Sequence, residues 1–462
     1  MNTSIKTYIK KMLWISFPII LSQIFLNLAS LLDTLMVGQL DDITISGVYV
    51  ATQILFVVNL MIFGAIEGCS VFFCQYYGKN DEENMQKMYK LKFIFCLIIS
   101  LIITILLSIF KKPLISFYVK TPQEIKVATS YINILIFSII PYAITCCIST
   151  TLREYHHSLP PMFFSLLGTI INCLINYLLI FGKFGFPKLE GVGAAIGTIT
   201  QRVLEMFLLI LYVKKKKYSF SKNFFNKLSL EKSQLKKIIL KSIPLFINET
   251  CWALSQTVLV LIFTKVDSIA TSVLPIVQTI FNLLFVFLLG LGNGITILVG
   301  NSIGANDFKK AQKEAYISLI VTLFIGIFLG ILLFTLAGVI TSFYKGINID
   351  ARNLATYFIK FNSFYLLING MNTCLFFLLR AGGRTEIVFI FDSFYCWIIS
   401  IPFALLLYKN TTLSLKEFYP IVYLIDIIKT IVGLSLLFFK KWYKNLTINQ
   451  EKNSTKKQII DN

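Results

Sequence analysis

Apolar residues fill this chain in runs of about 20 or more, the length that crosses a hydrocarbon layer of about 30 Å as a helix. Such runs lie near residues 13–37, 47–74, 91–110, 128–150, 161–182, 192–213, 238–264, 273–300, 315–338, 355–379, 386–408 and 419–440. They predict twelve transmembrane helices. Polar residues inside the runs are not scattered. In the stretch ILSQIFLNLASLLDTLMVGQL, Ile20 to Leu40, the residues Ser22, Gln23, Asn27, Ser30, Asp33 and Thr34 share roughly 140° of a helix turning about 100° per residue. A charge at the centre of a spanning helix costs about 2.5 to 3.5 kcal/mol on insertion scales, so this face is expected to look at protein or water. The fifth run repeats the pattern, with Ser165, Thr169, Asn172 and Asn176 on one face.

The chain also matches itself. GAIEGCSVFFCQYYGKNDEENMQK from Gly64 aligns without a gap on GLGNGITILVGNSIGANDFKKAQK from Gly290, an offset of 226. Gly64, Gly68, Gly78, Asn80, Asp81, Gln86 and Lys87 recur as Gly290, Gly294, Gly304, Asn306, Asp307, Gln312 and Lys313. Ser16 and Pro18 recur as Ser242 and Pro244; one residue further on, Leu152-Arg153 meets Leu379-Arg380 and Arg202 meets Lys429. Six helices separate the copies. An even number makes the repeat parallel, related by an axis along the membrane normal. The fold expected is all-α integral membrane, twelve transmembrane helices in two pseudo-symmetric six-helix bundles facing each other across a cleft. The division expected is an N-terminal bundle over 1–213, a basic linker over 214–237, a C-terminal bundle over 238–442 and a polar tail over 443–462. The paired glycines four residues apart read as close helix packing.

Composition agrees: 56% of the 462 residues are hydrophobic and 14% charged. The net charge of +20 does not point to nucleic acid, because with a cytoplasmic N-terminus most Lys and Arg fall on cytoplasmic segments, the positive-inside pattern. The largest block, Lys214 to Lys237, joins the two halves as a topogenic linker. Both termini are expected in the cytoplasm of a multi-pass protein of the cytoplasmic (inner) membrane, working as a monomer in its lipid bilayer. The basic N-terminus with its apolar run reads as a retained first helix, since the run carries Asp33 and lacks a small-x-small cleavage site. The nine cysteines all fall in predicted helices without C-x-x-C, so neither a disulfide framework nor a metal site is expected. No predicted helix carries a histidine or an H-E-x-x-H, and the two histidines, His156 and His157, lie in a loop. An enzyme is therefore not expected.

The chemistry sits in the intramembrane acids. Glu205 has Arg202 three residues before it and Asp426 has Lys429 three after, spacings that predict self-neutralised structural pairs. Glu67 is expected to reach the membrane interface. Asp33, Glu249 and Asp392 have no cation within four residues, and Glu249 shares its helix face with Gln256, two turns on. An unpaired carboxylate in an apolar site exchanges a proton near neutral pH, while clustered carboxylate, amide and hydroxyl oxygens hold a hard cation. Either ion could couple to transport. The ion-coupling and substrate-cavity set is Asp33, Glu249, Asp392, Asn172, Asn176, Gln256, Asn27 and Asn369, with Na+ near Glu249 or H+ as the coupling ion and no other cofactor. The 42 phenylalanines and 21 tyrosines mostly face lipid or pack, and some could stack on a cationic aromatic ligand.

From about residue 10 to 442 the chain resembles the multidrug and toxic compound extrusion (MATE) family. The resemblance rests on LLDTLMVGQL ending helix 1, CQYYGKND after helix 2, INCLINYLLIFGKFGFPKLEGVGAAIGT through helices 5 and 6, NETCW in helix 7, and LLRAGGRTEIVFIFDSFYCWIISIP through helices 10 and 11. It implies export of organic cations or other amphipathic compounds, driven by inward sodium or proton flow. By position Asp33 matches the family's helix 1 acid, and Glu249 the helix 7 acid of its bacterial sodium-coupled branch. Asn176 stands where the proton-coupled archaeal type has an Asp, and Asn369 roughly where some sodium-coupled members have one. The alternative is a lipid-linked oligosaccharide flippase of the same superfamily. That activity calls for a strongly cationic groove, whereas the cations in the predicted helices are Arg202, Lys360 and Lys429.

Overall fold

The structure, a computed structural model, describes residues 5–226, 228, 230–344 and 348–448, apart from the side chain of residue 42. Among the described residues, twelve helices are long and apolar enough to span: α1 (Ile5–Val37), α2 (Ile43–Gly78), α3 (Glu82–Tyr118), α4 (Pro122–Glu154), α5 (Leu159–Phe181), α6 (Gly191–Lys216), α7 (Lys232–Val266), α8 (Ala270–Gly304), α9 (Phe308–Ser342), α10 (Ile349–Ala381), α11 (Thr385–Asn410) and α12 (Leu415–Phe438). Each of the twelve apolar runs lies on one of them. Most are longer than their runs, because helix does not stop where hydropathy does. α3 begins at Glu82, nine residues before the run, under an N-cap whose Asp81 carboxylate accepts from Asn84 N at 3.1 Å.

That cap explains part of the repeat. Asp307 caps α9 in the same way, accepting from Lys310 N at 3.0 Å. The residue before each cap, Asn80 and Asn306, has a positive φ, 57° and 60°, a conformation that asparagine tolerates better than most residues. The repeated Asn-Asp is therefore a turn that ends one helix and caps the next.

The repeated glycines do more than pack within a bundle. A β-carbon on Gly68 would overlap Ser242 of α7, and one on Gly294 would overlap Ser16 of α1. Gly64 abuts Phe246 as Gly290 abuts Ile20, and Gly78 abuts Asn301 as Gly304 abuts Gln75. Adding 226 to Ser16, Ile20 and Gln75 gives Ser242, Phe246 and Asn301, so each contact is the symmetry image of another. These three pairs of contacts join α1 to α8, α2 to α7 and α2 to α8 across the two halves, in the parts of those helices nearest the face that carries both termini. That face is sealed by backbone at close approach. On the opposite face the halves part around a cavity of about 410 Å³ lined by Tyr49 and Gln53 of α2, Thr264 of α7, and Gln278, Thr279 and Asn282 of α8, among others.

The segment between the halves packs against the N-terminal half. After α6 a single turn at Ser219–Ser221 docks Phe220, 1% exposed, among Phe73, Tyr89, Tyr155 and Tyr218. Of the polar tail expected over 443–462, residues 449–462 lie outside the described residues. Residues 443–448 do not trail into solvent: Leu446 is buried, as is Trp442 before it.

Candidate functional site

The polar face of α1 meets the polar face of α5. Asn176 Nδ2 donates to Asp33 Oδ1 in a short hydrogen bond. With its amide nitrogen turned to the acid, Asn172 donates to the same oxygen at 2.9 Å. Thr198 of α6 donates to Asp33 Oδ2 at 3.5 Å. Both asparagines are fully buried, and α6 has a glycine, Gly197, where a β-carbon would strike the Asn176 amide. The structure thus gathers Asp33, Asn172 and Asn176 in the N-terminal half and adds Thr198. A carboxylate held by two amides and a hydroxyl is a satisfied acid.

In the C-terminal half the expected helix-local pair of Asp426 with Lys429 does not form. Lys429 Nζ donates to Asp392 Oδ1 at 2.6 Å, across from α12 to α11, while Asp426 Oδ2 accepts from Tyr365 OH at 2.6 Å. Asp392 is therefore not an unpaired acid. It also accepts from Asn248 Nδ2 at 3.1 Å, and Asn248 Oδ1 accepts from the Ser393 hydroxyl at 2.8 Å and the Ser393 N–H at 3.2 Å. Asp392 lies where α11 is wound as π-helix, over Ile390–Phe394 and Cys396–Ser400. A wider turn changes the face that later residues present, and periodicity counted from an ordinary helix misses it.

The pair expected of Arg202 and Glu205 is likewise absent. The guanidinium of Arg202 stacks over the Tyr142 ring at 4.2 Å, and Glu205 Oε1 accepts from Gln201 Nε2 at 2.9 Å. Arginine binds an aromatic face as well as an acid, so spacing along one helix does not decide its partner. Glu67 does not reach the interface. It is buried in an ion pair with Arg380 at the end of α10, across the two halves. A further buried pair, Lys92 with Glu154 at 2.8 Å, lies within the N-terminal half; no cation is expected in the third run, yet Lys92 is its second residue.

Glu249 stands apart. Among the described residues its carboxylate has no hydrogen-bond or ion-pair partner, although Asp33, Glu67, Glu205, Asp392 and Asp426 each have one. Its side chain lies against Gly64 of α2, so it sits at the junction of the halves. Neither Gln256 nor Asn369 is hydrogen-bonded to it; Asn369 Oδ1 is buried without a partner. Asn27 lines α1 half-buried, bonded to neither acid. No cluster of three or more His, Cys, Asp or Glu able to hold a metal occurs among the described residues.

Outside the spanning segments, His156 crosses between the halves. His156, in the loop after α4, stacks on Tyr77 with ring centroids 4.8 Å apart, and its Nε2 lies 2.8 Å from the Asn301 amide of α8. In the better orientation of that amide, Asn301 Nδ2 donates to Cys74 O at 2.8 Å and its Oδ1 accepts from His156. Burial, with Lys11 nearby, pushes the His156 pKa down to about 4.

The sequence profile of the MatE family matches residues 18–178 and 244–406, one match in each half of the repeat. The chain belongs to the MATE family. Among MATE relatives it is 25% identical to the Probable multidrug resistance protein NorM of Oceanobacillus iheyensis, over 94% of this chain and 95% of that one. It is 23% identical to the Probable multidrug resistance protein YoeA of Bacillus subtilis, over 86% of each. Its fold is that of a solved structure described as the outward-facing conformation of a multidrug resistance MATE family transporter, with TM-score 0.85 at 17% identity over 93% of this chain and 95% of that one. A MOP superfamily transporter from Pyrococcus furiosus aligns with TM-score 0.84 at 16% identity, over 93% and 95%. MATE membership makes this chain a multi-pass membrane transporter.

Proposed function

We propose that the protein is a secondary antiporter that exports organic cations or other amphipathic small molecules by alternating access, with Glu249 as the principal coupling site. The observation that carries this reading is the solitary carboxylate. Asp33, Glu67, Glu205, Asp392 and Asp426 are occupied by donors or cations of the protein itself, whereas Glu249 has no such partner among the described residues and is free to take an ion from outside. Its place against Gly64, where the halves meet, gives ion occupancy a direct hold on how they pack. The names of the relatives, multidrug resistance proteins, support drug-like substrates.

Sodium is the coupling ion that suits this composition. One carboxylate with neutral oxygens such as Gln256 and Asn369 in its half can hold a hard cation, whereas a proton relay through the N-terminal half lacks a second acid beside Asp33. Asn172 and Asn176 hydrogen-bond a carboxylate but carry no proton at neutral pH. With both termini in the cytoplasm of a cell-membrane protein acting as a monomer, the sealed face is cytoplasmic and the parted face external. The described arrangement is then outward-open.

Dye efflux under separately imposed sodium and proton gradients tests the reading. Export is expected to follow external sodium at fixed pH. A rate indifferent to sodium, yet abolished by a protonophore in sodium-free buffer, would make Glu249 a proton site instead.

A further inference from the structure

We propose that residues 442–448, the segment after α12, form a latch that holds the two halves together on the face carrying the termini, and that the latch lets go of Gln75 each time that face opens. The proposal rests on the alternating-access reading above.

The segment is anchored first to the C-terminal half. Trp442 is 1% exposed, and its Nε1 donates to Gln312 Oε1 at 2.7 Å, while Gln312 Nε2 donates to Leu437 O at 3.1 Å. Lys444 N donates to Gly382 O at 2.7 Å, in a place where a β-carbon on Gly382 would overlap the Trp442 carbonyl. Asn445 Nδ2 donates to Ile303 O at 2.9 Å and to Asn306 Oδ1 at 2.6 Å, which binds the segment to the turn that ends α8. Lys237 Nζ closes the set, donating to Leu446 O at 2.6 Å from the start of α7. Four parts of one half hold the segment in place.

It then grips the other half through a single side chain. Gln75 of α2 accepts from Leu446 N at 2.7 Å and donates to Lys444 O at 3.3 Å and to Ala381 O at 3.2 Å. All three partners belong to the C-terminal half. Gln75 is fully buried, so its amide has no water to exchange for these bonds, and leaving any unmade is costly. Its symmetry mate shows what the segment adds. The side chain of Asn301, at the equivalent place on α8, hydrogen-bonds in the opposite half to His156 and to Cys74 O. Among the described residues, none of the segment after α6 hydrogen-bonds to the Asn301 side chain as Lys444 and Leu446 do to Gln75. The extra length tightens one side of a junction that must part for the transporter to turn inward.

Two measurements test the latch. The first uses a Ser16→Cys variant in lipid nanodiscs, with labelling by a maleimide read at that peptide by mass spectrometry; Ser16 is 0% exposed beneath Gly294. Removing residues 442–462, or placing Asn445→Ala with Leu446→Glu in the full chain should the truncated chain not fold, is expected to speed labelling at least about fivefold, the low end of typical conformational coupling. An unchanged rate in a folded variant overturns the proposal. The second ties Gln75→Cys to Leu446→Cys with a short bis-methanethiosulfonate cross-linker, which forms a reducible disulfide to each thiol with loss of methanesulfinate. Export should stop when the linker is in place and return on reduction; full export with the tie in place also overturns the proposal. A chain that labels as expected but exports nothing under any gradient refutes the antiporter reading and leaves the latch standing.

Discussion

Lys429 donates to Asp392 on the neighbouring span, 2.6 Å away, and not to Asp426 three residues before it on its own helix. Both partners are largely buried, so removing one leaves a charge with no counter-ion. Lys429→Met is expected to cost about 3 kcal/mol or more in stability. Thermal unfolding in detergent checks this, and a second change, Asp392→Asn, should restore much of the loss. No recovery in the double variant would mean that Lys429 serves another group.

Glu249→Gln keeps volume and hydrogen-bonding capacity but removes the charge that follows ion occupancy. Gradient-driven dye export should fall to the level of cells without the protein, at wild-type abundance in the membrane. Normal export at normal abundance would remove Glu249 from the coupling step.

Asn176→Asp sets a second carboxylate against Asp33, at a contact already within hydrogen-bond reach. Two such acids do not both ionise at ordinary pH, so the N-terminal half gains a proton site. Sodium-dependent export should persist, because coupling at Glu249 is untouched. A switch to sodium-independent, proton-driven export in this variant would place the coupling in the N-terminal half.

Gly68→Leu drives a side chain into Ser242 at the junction. Overpacking of this kind costs about 1 to 3 kcal/mol. The cost falls on the arrangement described here and not on one in which these helices have parted. Faster labelling of Ser16→Cys in the Gly68→Leu variant is the expected sign, and the image change, Gly294→Leu, should do the same to Ser242→Cys.

Burial holds the His156 pKa near 4, below its ordinary value of about 6.5, so below that value the unfolded chain binds a proton that the folded one refuses. Stability from this group is whole above about pH 6.5 and is lost as pH falls toward 4. His156→Gln should flatten that part of the unfolding-temperature profile between pH 6.5 and 4. An identical slope in both proteins would assign it to other groups.

Hydropathy made the twelve spans legible because the bilayer sets one length and one polarity for all of them. The repeat made the symmetry legible, and the paired glycines proved to be the places where the halves touch. The α1–α5 cluster could be read as well, since both helices are regular and their polar faces follow the ordinary turn. What failed was partner choice. Lys429, Arg202 and Glu67 take their partners from other helices, and a sequence shows distances only along one. The π-helical turns of α11 compounded this at Asp392. Asn248 went unremarked beside Glu249 in NETCW, although it points at Asp392 and Ser393 from the next position on the helix.

The three contact pairs of the sealed face have a further meaning. Each unites a residue of one half with a residue of the other, and exchanging the halves reproduces the set: 68 with 242 becomes 294 with 16. An interface that maps onto itself under exchange is isologous, the form taken by a two-fold homodimer. A six-helix chain carrying one copy of these residues would make every one of the contacts with a duplicate of itself. The single polypeptide thus retains the geometry of a dimer. Gln75 and Asn301 exchange their backbone contacts but not their side-chain hydrogen bonds, and there joining the halves let each acquire duties of its own.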